Sequence, residues 1–249
     1  KGGFWLYFFS GIVIGLAMLI RPIAIGIGFL MAILIWTTLR DIKARSRIFL
    51  ILTLLLGNLV AILPWQLWVF SNTRKTVLLS SGSVPGIVDG LIFAVNIQED
   101  RQGIPVPNDV EIFMHDLRSR QRELKSARSL LSLMLEELKA RPKTVLKLLT
   151  IKAARSWYGT YSGRFEKVSL LIQAGYLIPL LLGTWKAWKQ GGAAKQLTII
   201  VWAFLLYFWG MTIIALSILR YLVPGLGLFI VLVSVFFSKA PKNQKFAIT

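Results

Sequence analysis

The chain has 249 residues, 55% hydrophobic and 16% charged, with 29 Lys and Arg against 11 Asp and Glu and a formal net charge of +18. A soluble domain of this length needs more polar surface than that, and the lack of cysteine excludes disulfides and thiolate metal sites. The basic excess fits cytoplasmic Lys and Arg loops and contact with anionic lipid better than nucleic acid, for which no motif is present.

The chain enters an apolar run directly from Lys1-Gly2-Gly3, with neither an initiator methionine nor a small-residue cleavage site, and is read as the inside of a longer protein. Apolar runs long enough to cross a hydrocarbon core of about 30 Å predict six spans, at residues 4–20, 22–39, 48–70, 168–185, 197–217 and 221–238. The fold class expected is an all-α integral membrane protein of about six transmembrane helices with a long, partly helical extracytoplasmic loop. It divides into residues 1–70 (three spans), 71–167 (the loop) and 168–249 (three spans and a short basic tail). Only Arg21-Pro22 joins the first two spans, and proline cannot continue the preceding helical ladder, so they are expected to form a tight hairpin.

Orientation follows from the short loops. Residues 40–47 carry four basic residues and one acid, residues 186–195 three basic, and the tail after Ser238 three basic. The turns at Arg21 and Arg220 carry one each on the opposite side, so the positive-inside bias places the three basic loops in the cytoplasm. Residues 71–167 then lie outside it; their 16 basic and ten acidic residues do not conflict, because long loops escape the bias.

Within that segment Pro85-Gly86, Asp89-Gly90 and residues 103–107 read as turns, whereas Leu117, Leu124, Leu131, Leu135 and Leu138 recur at helical spacing. Pro142 opens a further helix in which Val145, Leu146, Leu148 and Leu149 alternate with Lys143, Lys147 and Lys152. With Trp157, Tyr158 and Tyr161 after it, this is expected to be an interfacial helix with an aromatic belt. No internal repeat or low-complexity tract is present.

Arg21 and Arg220 are the most informative charges, each at the outer end of an apolar run. A planar guanidinium there can make two charge-assisted hydrogen bonds to the phosphate of a lipid-linked donor, or can snorkel to headgroups and fix helix depth. Asn72, Arg74 and Lys75 follow Pro64-Trp65 and place polar groups at the exit of the third span; an aromatic anchor with a basic flank is the commoner role for such residues. Asp89, in its predicted turn, is a candidate acceptor contact or simply a turn aspartate bonded to its own backbone. Glu99-Asp100 and Glu136-Glu137 read as solvated faces, and His115 as a surface histidine. There is no nucleophile elbow, phosphate-cradling glycine loop or metal-ligand spacing, so no cofactor is identifiable and a divalent metal has no visible ligand set.

Residues 15–22 (Gly-Leu-Ala-Met-Leu-Ile-Arg-Pro), Leu63-Pro64-Trp65 with Asn72, Arg141-Pro142 with Lys152 and Trp157, and Arg220-Tyr221-Leu222-Val223-Pro224 occur in an order that resembles polytopic glycosyltransferases of the GT-C class. The branch most similar is that of dolichyl-phosphate-mannose-protein mannosyltransferase-like and aminoarabinose-transferase-like bacterial proteins, of which this chain would be the C-terminal half to two-thirds. The resemblance implies an inverting transferase of the bacterial inner membrane. It would move a sugar from a polyprenyl-phosphate carrier to a glycan, lipid or protein acceptor on the outer face. It assigns phosphate contact to Arg21 and Arg220 and nothing further; Asn72, Arg74, Lys75, Asp89 and Tyr221 are candidate substrate-loop contacts by their position in the sequence alone. The acid that activates the acceptor in such proteins belongs to a first external loop that this chain does not contain. An envelope polysaccharide ligase, which would use His115, and a transporter or assembly subunit remain as alternatives.

Overall fold

The computed structural model describes residues 3–74, 83–93, 106–121, 123–124, 127–160, 165–214 and 217–238. Every regular element among them is helical, and the chain divides into two compact units, residues 1–82 and 83–249.

The first unit holds α1 (Gly3–Ile20), a 3₁₀ segment (Pro22–Gly26), α2 (Ile27–Thr38) and α3 (Ala44–Thr73). α1 and α3 pack over most of their length because three glycines bring the backbones together. A Cβ on Gly11 would lie 2.0 Å from the Leu54 carbonyl oxygen, one on Gly15 2.7 Å from that of Asn58, and one on Gly57 2.1 Å from that of Phe8. Small residues at such crossings gain dispersion contact where lipid supplies no hydrophobic drive. The pairings Phe4 with Phe49, Gly11 with Leu54 and Gly15 with Ala61 advance together, so α1 and α3 run parallel. α2 runs antiparallel to α3, with Arg47 stacked on Trp36 at one end and Gly28 near Asn58 at the other.

Gly57→Ala is expected to destabilise the protein by about 1–3 kcal/mol, because two backbones rather than a flexible side chain must move. Gly175→Ala and Gly210→Ala, where an added Cβ meets nothing within 4 Å, should be close to neutral. Thermal unfolding in detergent checks the contrast.

The second unit begins with four short helices, α4 (Ser83–Phe93), α5 (Asn108–Arg120), α6 (Ala127–Ala140) and α7 (Pro142–Arg155). Their common core is Val88 and Ile92 of α4, Val110, Phe113, Met114 and Leu117 of α5, Leu130 and Leu133 of α6, and Val145 and Leu148 of α7. Spacings of three and four carry this core on each helix, as in Val110, Phe113, Met114 and Leu117. α5 also has Asp109 and Glu111 in its first turn and Arg118 and Arg120 in its last, which complements its dipole.

Several sequence expectations change here. Pro85-Gly86 and Asp89-Gly90 are not turns but lie inside α4; proline is tolerated in a first helical turn, and burying Val88, Leu91 and Ile92 outweighs the helix cost of two glycines. The leucine series is helical as its spacing predicts at Leu117 on α5 and at Leu131, Leu135 and Leu138 on α6; Leu117 and Leu124 are buried, while Leu131, Leu135 and Leu138 face outward and Leu130 and Leu133 take the inward positions. Glu137 is not on a solvated face either. It is buried and pairs with Arg120 at 3.6 Å and Arg141 at 3.3 Å, whereas Glu136 is exposed. On α7, Val145 and Leu148 are spent on the helical core, and Leu146 stays exposed.

The unit continues with α8 (Glu166–Gln190), α9 (Gly192–Ile214) and α10 (Leu219–Phe237). Tyr176 donates its hydroxyl to the Leu226 carbonyl and Lys186 its ammonium to that of Phe236, so α8 and α10 run parallel with a constant offset. Gly183 makes their closest approach, since a Cβ there would lie 2.0 Å from the Leu232 carbonyl oxygen. α9 returns between them, with Trp202 donating to the Thr184 hydroxyl.

Five helices, α1, α3, α8, α9 and α10, are long and apolar enough to cross a membrane, which points to a membrane protein. The predicted second span is instead a composite: Pro22 and the glycines at 26 and 28 break it into the 3₁₀ segment and the 12-residue α2, too short to cross as one α-helix.

Candidate phosphate-binding site at the start of the last helix

Within the second unit, the end of α7, the turn 156–160, the start of α8, the end of α9 and the start of α10 converge. α7 is docked there by tryptophans. Trp209 of α9 donates its indole N–H to Ser156 Oγ at 2.9 Å and to the Ala153 carbonyl at 3.1 Å. Trp157 meets the Trp209 ring edge-on at 5.8 Å and stacks on the fully buried Phe229 of α10 at 6.3 Å. Tyr176 and Trp202 close on the same phenylalanine at 6.0 and 5.9 Å.

The turn is pinned to α10 through its backbone. The Leu219 N–H donates to the Gly159 carbonyl at 2.9 Å. Gly159 is required by space, because a Cβ would lie 2.6 Å from the Arg155 carbonyl oxygen and 3.0 Å from that of Ser217. Glu166, in the first turn of α8, closes the other side: Oε1 accepts from Arg155 Nη2 at 2.6 Å and from the Thr160 N–H at 3.2 Å. Glu166→Gln keeps an acceptor for Thr160 but removes the charge opposite Arg155. It is expected to cost about 1–2 kcal/mol, the pair being largely but not wholly buried; a lowered midpoint of thermal unfolding would show it.

Arg220 is the next residue after the pinned Leu219, and its side chain is exposed with no ion pair among the described residues. Pro224, one turn on, has no N–H to give the Arg220 carbonyl. Tyr221 is half-buried beside it.

Lys152 lies one turn before the docking tryptophan. Its ammonium is fully buried and donates to the Gly90 carbonyl, one of the last four of α4, which have no partner within their own helix. Burial lowers its pKa from the usual 10.5 to about 7. Elsewhere in this helical core Asp109 is held below the ordinary carboxylate range, mainly by the hydrogen bond from Lys147 at 2.9 Å, with Thr144 also donating.

The remaining sequence candidates are distributed as follows. Arg21 is exposed between α1 and the 3₁₀ segment, in the extended conformation that a following proline favours. Since α1 and α3 run parallel, Arg21, Asn72 and Arg74 belong to the same end of the first unit. Asn72 Nδ2 is used on the Trp68 carbonyl at 2.7 Å, and Arg74 ends α3 with φ of +53°. Asp89 is exposed on α4 and accepts from Gln121 at 2.7 Å. His115 is exposed on α5. Lys75, Glu99, Asp100 and Tyr161 lie outside the described residues. Among those described, no three His, Asp or Glu side chains gather as a metal site.

Sequence reasoning missed Glu166, Trp209 and the burial of Lys152. Glu166 carried a signal, being the sole acid after Glu137 and standing at the head of an apolar run. No protein family, curated protein or solved structure matches this chain.

Proposed function

We propose that this chain is the membrane portion of a glycosyltransferase that takes a sugar from a polyprenyl-phosphate carrier and passes it to an acceptor outside the cytoplasm. The observation that carries the reading is Arg220: an exposed guanidinium without a carboxylate partner among the described residues, at the head of an apolar helix whose first residue is fixed to Gly159. A planar fork in that position suits a phosphate held at the membrane surface with its isoprenoid tail along the helices.

Six crossings are supported by the parallel course of α1 and α3. The 3₁₀ segment and α2 must carry the chain back along them, and five residues at about 2.0 Å with twelve at about 1.5 Å give roughly 28 Å. With the basic loops inside, Arg21, Arg220 and helices α4 to α7 then fall on the outer side. In the transfer, the bond between the anomeric carbon and the phosphate oxygen breaks, the acceptor atom bonds to that carbon, and its proton goes to a carboxylate base. Arg220 would stabilise the charge left on the phosphate.

The test is sugar transfer by the full-length protein in proteoliposomes, with polyprenyl-phosphate sugar supplied to the face that bears α4 to α7. Glycosylated acceptor and free polyprenyl phosphate in equal amounts support the reading. Movement of intact donor between leaflets without transfer overturns it in favour of a transporter, and transfer abolished by His115→Ala overturns it in favour of a polysaccharide ligase.

A further inference from the structure

The helical part of the second unit carries an apolar face that its own core leaves uncovered. α6 buries Leu130 and Leu133 against α4, α5 and α7, yet shows a second row, Leu131, Leu135 and Leu138, at 60%, 50% and 45% exposure. These residues fall at i, i+4 and i+7 and so share one face. Arg128, three residues before Leu131, and Lys139, four after Leu135, border it, with Lys143 following at the start of α7. All three are exposed and make no ion pair among the described residues. The neighbouring charges behave differently: Arg120, Arg141, Lys147, Asp109, Asp116 and Glu137 all neutralise one another across α5, α6 and α7.

α6 cannot itself span a bilayer, having 14 residues, or about 21 Å, and carrying Arg128, Glu136, Glu137 and Lys139. It does belong to a unit with three helices able to cross one, to which it is tied through α7 and the Trp209 dock. A narrow leucine row edged by unpaired cations, on a body held near a membrane, has the chemistry of a helix lying in the headgroup region of an anionic leaflet.

We propose that α6 rests on the membrane surface, with Leu131, Leu135 and Leu138 in the acyl boundary and Arg128, Lys139 and Lys143 on anionic headgroups. This contact fixes the height of the α4 to α7 core above the bilayer and is independent of the reaction the protein performs.

The absence of cysteine makes the test direct. Leu131→Cys, Leu135→Cys and Glu136→Cys are each labelled with an environment-sensitive fluorophore in the full chain, reconstituted in vesicles of phosphatidylcholine with 30% phosphatidylglycerol. Glu136 is exposed on the polar side of the same helix and serves as the control. Lipid-attached quenchers should quench the labels at 131 and 135 at least threefold more than that at 136, and aqueous iodide should show the reverse order. Replacing Arg128, Lys139 and Lys143 together by glutamine should reduce the difference, as should vesicles of phosphatidylcholine alone. Equal iodide quenching at all three positions overturns the proposal. So does protection of 131 and 135 from both quenchers, which would mean that protein, such as a second copy of this chain, covers the row.

Discussion

Arg220→Ala is expected to lower sugar transfer about 100-fold while leaving thermal stability unchanged. The side chain is exposed and unpaired among the described residues, so its removal uncovers no buried charge. Each charge-assisted hydrogen bond is worth roughly 1.5–3 kcal/mol; two on one phosphate, less what water recovers, come to about 3 kcal/mol, or about two orders of magnitude in rate. The leaving phosphate gains charge as the glycosidic bond breaks, so the loss should fall on kcat at least as strongly as on KM. Arg220→Lys keeps the charge but not the fork and should lie between the two. Arg21→Ala should reduce transfer in the same assay.

Lys152→Met is expected to flatten the dependence of stability on pH. The folded pKa of Lys152 is depressed to about 7 from 10.5. Between those values the unfolded chain binds more protons than the folded one, so stability rises with pH across that window. Below about pH 7 the folded state carries the full cost of burying the ammonium, and above about 10.5 the cost is gone. The slope attributable to this lysine is about 1.4 kcal/mol per pH unit at most. Methionine fills a similar volume without charge but leaves the Gly90 carbonyl without this donor, so its effect at pH 7 is a near balance of two terms. The decisive reading is therefore the slope: unfolding midpoints in detergent from pH 7 to 9.5 should rise for the native protein and stay level for Lys152→Met. A native profile that is already flat would contradict the buried ammonium.

Five crossing helices were legible as apolar runs, because composition alone decides whether a 20-residue helix suits hydrocarbon. The region 22–38 was equally apolar, but its break depends on Pro22, Gly26 and Gly28, which interrupt a helix without lowering hydropathy. Asp89 was misplaced for the opposite reason. Proline and glycine signals dominate a local reading, and only the core formed with α5, α6 and α7 shows that Val88 and Ile92 hold the segment helical. Leu131 and Leu133 are alike in sequence, and which one faces inward is decided by the helices packed against α6. Arg21 and Arg220 were readable as charges interrupting apolar runs. The Gly159 tether to Leu219 was not, because it is a backbone contact between segments 60 residues apart.

The central claim is that a lipid-linked phosphate binds at the start of α10, and photo-cross-linking tests it most directly. A polyprenyl phosphate bearing a diazirine near its head group is irradiated with the protein in proteoliposomes, and the modified residues are mapped by mass spectrometry. The account predicts labelling concentrated around residues 217–225, competed by unlabelled polyprenyl-phosphate sugar and lost in Arg220→Ala. Labelling spread evenly over the lipid-facing spans, or unchanged in Arg220→Ala, would contradict it.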